Sequence, residues 1–155
     1  MQRSKRFRSA LAEEDGSAAL EVITAGFLLL IPLVDLIIAM AALQGGALSV
    51  EGAARQAARV YVQAPTSSAG SARAKTAIDF ALDDFGIARA NAKVTITCHP
   101  RPSKCLTRRG FVTVHVVASI PLPLVPTALT VHTPLSVPMS ATSTEQVSRF
   151  WGATG

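Results

Sequence analysis

The sequence predicts an α+β fold: a long N-terminal transmembrane helix, then a second helix packed on a small antiparallel sheet of about three strands. Three observations predict it. Residues 22–43 form an apolar run broken by a single charge. Ala74, Ile78, Leu82 and Phe85 recur at helical spacing. From residue 94 onward, apolar and polar residues alternate over several stretches, the period of half-buried strands.

The apolar run reads VITAGFLLLIPLVDLIIAMAAL. At about 1.5 Å per residue it is long enough for a hydrocarbon core of about 30 Å. Arg3, Lys5, Arg6 and Arg8 precede it, so the N-terminus is expected in the cytoplasm and the rest of the chain outside. Pro32 removes one helical hydrogen bond. Asp35 within the span costs about 2.5–3.5 kcal/mol on insertion scales. Either Asp35 is tolerated by snorkelling to the outer face, or it meets a partner helix in an assembly. A competing reading is a secretory signal cut near Ala39 and Ala41. The run is longer than a usual signal core, and Glu13, Glu14 and Asp15 separate it from the basic cluster.

Residues 13–21 read EEDGSAALE. A Gly followed by a small residue ends a charged leader, and a Glu stands five positions later at the start of the apolar helix. This motif resembles the processing site of type IV prepilins. More closely, residues 13–62 resemble the TadE-like proteins of tight-adherence (Flp) pilus systems, including the small-residue stretch AARQAARVYV. The resemblance implies cleavage by a prepilin peptidase between Gly16 and Ser17. It implies an assembly role for Glu21, and contacts with other pilin or pilus-assembly subunits through the N-terminal helix. It also implies a pilin-like plan and a structural, non-enzymatic role, with a minor pilin or assembly protein as the expected product. Val22 follows the Glu where Flp-type sites commonly carry an aromatic, and the chain is longer than a major Flp pilin.

Physical chemistry fits these positions. Gly16 lets an extended backbone approach a membrane peptidase. Cleavage creates an amine on Ser17 at a helix start, where the macrodipole disfavours a cation. Glu21 is one turn on and can neutralise that amine or a neighbouring subunit's. The organisation expected is a leader over 1–16, a transmembrane helix over 17–44, a helical extension over 45–63 and an exported α+β domain over 64–155.

Beyond the span, Gly45, Gly46, Ala47, Ser49, Gly52, Ala53, Ala54, Ala57 and Ala58 make a surface of small side chains. It packs either on the protein's own domain or on another helix of an assembly. The double glycine is expected to loosen the helix, and Glu51 and Arg55 form an i,i+4 pair. Residues 65–72 read as a linker, with Ser71 as N-cap of the second helix and Gly86 as its stop. Lys75, Asp79 and Asp83 are expected on its solvated face.

Two strand patterns flank CHPRPSKC: Val94, Ile96 and Cys98 before it, Val112, Val114 and Val116 after it. They predict a hairpin. Cys98 and Cys105 predict a disulfide in an exported domain, with Arg101 and Lys104 on a solvated tip. Prolines in residues 119–126 argue for a crossover rather than a central strand. Alternation over 129–141 predicts an edge strand with Pro134 and Pro138 on one face. Phe150 and Trp151 are expected to close against the core.

No catalytic motif is present, and His99, His115 and His132 are isolated, so neither enzyme nor cofactor is expected. One histidine beside two cysteines does not make a zinc site. The net charge of +5 is spread without aromatic interleaving, so no nucleic-acid partner is expected. The alternative function, from another class, is a membrane-tethered or secreted binding module with no pilus role.

Overall fold

The structure is a computed structural model. It describes the backbone of residues 3–123 and 136–152, and side chains from residue 18 on. The order of elements is helix α1 (Arg3–Val62), helix α2 (Ser67–Asp83), a short 3-10 turn (Arg89–Asn91) and strands β1 (Ala92–His99), β2 (Phe111–Pro121) and β3 (Ser136–Gln146). The layout is α+β, as the periodicities predict. The chain divides into two compact units, Met1–Ala39 and Met40–Gly155.

In the second unit, a three-stranded antiparallel sheet runs in the order β1-β2-β3. Strand alternation makes one face apolar. Val112, Val114, Val116, Ala118 and Ile120 of β2 are buried on that face. The register places Val94 opposite Val116 and Ile96 opposite Val114 on one side, and Ala141 opposite Val116 on the other. Val50, Ala53, Ala54, Ala57, Ala58 and Tyr61 of α1 join the same core, with Ala74, Ile78 and Leu82 of α2. Of the small residues of α1, Gly46, Ser49, Ala53, Ala54, Ala57 and Ala58 are buried inside their own domain, while Ala47 and Gly52 stay exposed. Internal packing therefore accounts for most of that surface.

Gly46 is packed rather than loose. A Cβ there would lie 2.8 Å from Cγ1 and 2.9 Å from Cδ1 of Ile120. Its neighbour in this contact shows a second difference. β2 continues through Ser119 and Ile120 to Pro121, so the expected crossover begins later. Past Ala118, β2 pairs only with β3, the last pair being Pro121 and Ser136. The missing N–H of Pro121 thus falls where one side of the strand is already free. β3 is an edge strand, as expected, with Pro138 exposed. It extends to Gln146, beyond the predicted end at residue 141. Residues 129–135, including His132 and Pro134, lie outside the described residues.

α2 starts four residues before the predicted Ser71 cap. Thr66 is the N-cap, and its Oγ1 accepts from the Ala69 amide at 3.2 Å. Gly70, read as a linker residue, is buried in the first turns of the helix, where a Cβ would meet the Tyr61 ring at 3.2 Å. The other end closes at Gly86 with φ 67°, as its composition predicts. The Gly86 amide donates to the Asp83 carbonyl and the Ile87 amide to the Leu82 carbonyl, the paired bonds of a Schellman motif. That turn explains why Phe85 is exposed and not core. The helix ends before Phe85 can rejoin the face, and Ile87 is buried beside Leu82 instead.

Trp151 reaches the core, and its Nε1 donates to the Ala64 carbonyl at 3.0 Å. Phe150 stays exposed, with Arg149 over its ring at 4.6 Å.

The two glycines of α1 yield opposite expectations. Gly46→Ala should destabilise the full chain by about 1–3 kcal/mol through overpacking on Ile120. Gly52→Ala, whose Cβ meets nothing within 4 Å, should be neutral or stabilising by about 0.5–1 kcal/mol. Denaturant unfolding in detergent measures both; equal effects would contradict the packing described.

Candidate functional site: the apolar half of the first helix and the disulfide loop

The N-terminal unit has an unusual surface. Leu20, Ile23, Phe27, Leu28, Leu29, Leu33 and Leu36 point to all sides of α1, and every one of them is exposed. Leu28 is 72% exposed and Phe27 60%. A helix apolar all round belongs in a protein core or a membrane. Residues 18–38 supply no core of their own. The helix is long and apolar enough to cross a membrane, with a mean hydropathy of 2.5 over its most apolar window. It passes through Pro32 without interruption.

Polar groups on this unit are few. Glu21, Thr24 and Asp35 are the polar side chains among residues 18–43, and all three are exposed. Thr24 satisfies itself, its Oγ1 donating to the Leu20 carbonyl at 2.7 Å. Among the described residues, the ion pairs are Glu51 with Arg55 and Asp79 with Arg89, so neither Glu21 nor Asp35 is paired within them. Gly16 and Ser17 lie inside α1, so the backbone at the expected cleavage point is helical, not extended. A peptidase would have to unwind it. Glycine lowers the cost of doing so, since it favours the helix less than alanine does by about 1 kcal/mol.

The second unit contains the predicted disulfide. Cys98 pairs with Val112 one residue before the end of β1, and its sulfur is bonded to that of Cys105, with the two Cα atoms 5.0 Å apart. The enclosed loop carries Arg101 and Lys104, both exposed. The following turn is tight. A Cβ on Gly110 would lie 2.6 Å from Thr107 Oγ1, and Arg109 adopts φ 62° just before it. Leu106 is buried below, so the covalent loop is seated on the core by its own next residue.

Other polar groups have structural partners. His115 sits on the open face of the sheet, with Nδ1 2.8 Å from Thr142 Oγ1 across the strand pair. Thr113 and Thr144 make the same kind of contact at 2.8 Å. Asp79 departs from its expected solvated place. It is half-buried, with Oδ1 2.7 Å from Arg89 Nε, in a groove that Thr76, Phe80 and Ile87 also line. The i+10 spacing gave no warning of that pair, because the turn at Gly86 brings Arg89 back. Ser49 is buried and donates to the Ala81 carbonyl at 2.9 Å, tying α1 to α2. Among the described residues, no three His, Cys, Asp or Glu side chains are placed to hold a metal ion.

Closing the disulfide loop should stabilise the domain by about 2–3 kcal/mol through the entropy of the unfolded chain. Replacing both Cys98 and Cys105 by Ser should lower the denaturation free energy by that amount in non-reducing buffer. In the native chain, reductant should produce the same loss; no change on reduction would mean that the core alone holds the loop.

Comparison with models of known protein families, with curated proteins and with solved structures returns no match.

Proposed function

We propose that this chain is a TadE-like minor pilin or pilus-assembly protein of a tight-adherence type IV pilus system, with a structural role. It is cut between Gly16 and Ser17 by a prepilin peptidase and assembles with other pilin-like subunits through its N-terminal helix. The observation that carries the reading is the placement of Gly16, Ser17 and Glu21. They stand where a charged leader meets a helix that is apolar all round.

Two further facts support it. The helical residues that follow the apolar stretch carry a disulfide-bonded α+β domain, and disulfides persist in oxidising compartments outside the cytoplasm. The alanine face of α1 is already occupied by that domain's sheet. What α1 offers to other subunits is then the apolar half, where Glu21 lies. In this reading the leader stays in the cytoplasm until cleavage and the domain is outside. An unpaired carboxylate in hydrocarbon is costly, so Glu21 favours any neighbour that neutralises it.

Mass spectrometry of the protein extracted from membranes should give a mature N-terminus at Ser17. An intact leader, or a cut near Ala41, would overturn the reading. Glu21→Ala should leave membrane insertion unchanged and reduce incorporation into, or assembly of, surface pili by at least tenfold. Piliation at the native level in that variant would remove the assembly role from Glu21.

A further inference from the structure

The turn that follows the disulfide loop walls an open hollow of about 660 Å³ in the second unit. Arg101, Arg108 and Arg109 line it, with Leu106 and Gly110 of the same turn and Trp151 of the C-terminal segment. Three guanidinium groups around one space repel one another unless an anion comes between them. Residues 85–144 carry six Lys or Arg and no Asp or Glu. Among the described residues, the ion pairs are Glu51 with Arg55 and Asp79 with Arg89, so none of the three arginines has a carboxylate partner there. Glu145 stands opposite Val112 and lines a neighbouring hollow with Arg59.

The turn that carries two of these arginines is braced. Arg108 Nε donates to the Trp151 carbonyl at 3.0 Å, which fixes the guanidinium and leaves its Nη groups as donors. The Arg109 amide donates to the Val147 carbonyl at 3.1 Å, and Gln146 Nε2 donates to the Arg109 carbonyl at 3.3 Å. Arg109 adopts φ 62°, in the left-handed region where a glycine would be unstrained. Its side chain is exposed and takes no part in the core. Packing gives no reason for an arginine at that position. A charge on the wall of the hollow does.

A guanidinium is a planar fork that takes an oxyanion through two parallel hydrogen bonds. Trp151 narrows the choice of ligand. Its indole is half-buried, fixed by the bond to the Ala64 carbonyl, and lines the hollow with the arginines. Among the described residues it is the one aromatic side chain there, so the hollow lacks the row of rings on which successive bases of a nucleic acid stack. One fixed ring beside several forks suits a sugar that carries acid groups, with an apolar face for the indole and carboxylates for the arginines. We infer that this hollow binds an acidic polysaccharide, its carboxylates held by Arg101, Arg108 and Arg109 and a sugar ring lying against Trp151. The binding needs neither leader cleavage nor a pilus, so it stands or falls apart from the function proposed above.

Trp151 is the chain's one tryptophan, so its fluorescence reports on the hollow directly. The full chain, reconstituted in phosphatidylcholine vesicles, is titrated with an oligogalacturonate. The emission should change saturably, and neutral dextran should leave it unchanged. Arg109→Gly removes one fork and relieves the backbone. It should lower the affinity about tenfold, the worth of a charged hydrogen-bonded contact, while the denaturation midpoint stays or rises. Lys104→Gln removes a charge from the adjoining disulfide loop but not from the lining of the hollow, and should change the affinity by less than about twofold. No saturable change, or native affinity in Arg109→Gly, would overturn the site. Equal losses in Arg109→Gly and Lys104→Gln would replace the hollow by a diffuse cationic surface. Equal affinity for oligothymidylate or for phosphatidylglycerol nanodiscs would overturn the sugar as the ligand.

Discussion

The fold of the second unit depends on one contact: the alanine face of α1 lying against the valine face of β2. Ala53, Ala54, Ala57 and Ala58 are buried against the layer that Val112, Val114 and Val116 help to form. Side chains this short let a helix backbone come close to a sheet. They bury little area each, so the core gains through closeness of packing and not through large residues. The rest follows from that closeness. Gly46 must lack a side chain because Ile120 is already there. Gly70 must lack one because the Tyr61 ring is there. Ser49 can be buried because an α2 carbonyl is within reach of its hydroxyl.

The same helix has two solvents. Residues 50–61 are amphipathic, with Glu51, Arg55 and Arg59 exposed opposite the alanines. Residues 18–38 carry Glu21, Thr24 and Asp35 as their polar side chains and are otherwise apolar. One element therefore changes from a uniformly apolar cylinder to a half-buried one without a break in its hydrogen bonding. The change is made entirely by side chains, which is why hydropathy located it from sequence.

Legibility in the sequence followed the length scale of each interaction. Periodic features were readable: the apolar run, the alternation of β1 and β2, the Ala74, Ile78, Leu82 face and the Gly86 stop. The disulfide was readable because two cysteines flank a turn-rich loop. Errors fell where a residue's role is set by something distant in sequence. Gly46 looked like a point of flexibility because Ile120 is far along the chain. Thr66 lost to Ser71 as the expected cap because a serine and glycine stretch resembles a linker until Tyr61 is seen against it. Pro121 argued against a strand, and the argument failed because β1 is too short to reach it. Asp79 looked solvated because its partner Arg89 lies beyond a turn. The carboxyls of Glu21 and Asp35 were visible as anomalies in an otherwise apolar run.

The hydrogen bond from Trp151 to Ala64 spans 87 positions of the chain. It bears on timing. A ribosome makes α1 before β3 and Trp151, so the alanine face waits for the strands that cover it. Val147, buried in the same core, arrives almost as late. Contacts between distant parts of a chain form slowly and leave apolar surface uncovered meanwhile. A nascent chain stopped at the end of β2 would have its central strand and no second edge, with Val112 to Ile120 open on one side. Val147 and Trp151 thus act as a completion signal: until they emerge, the domain has its parts and no closed core.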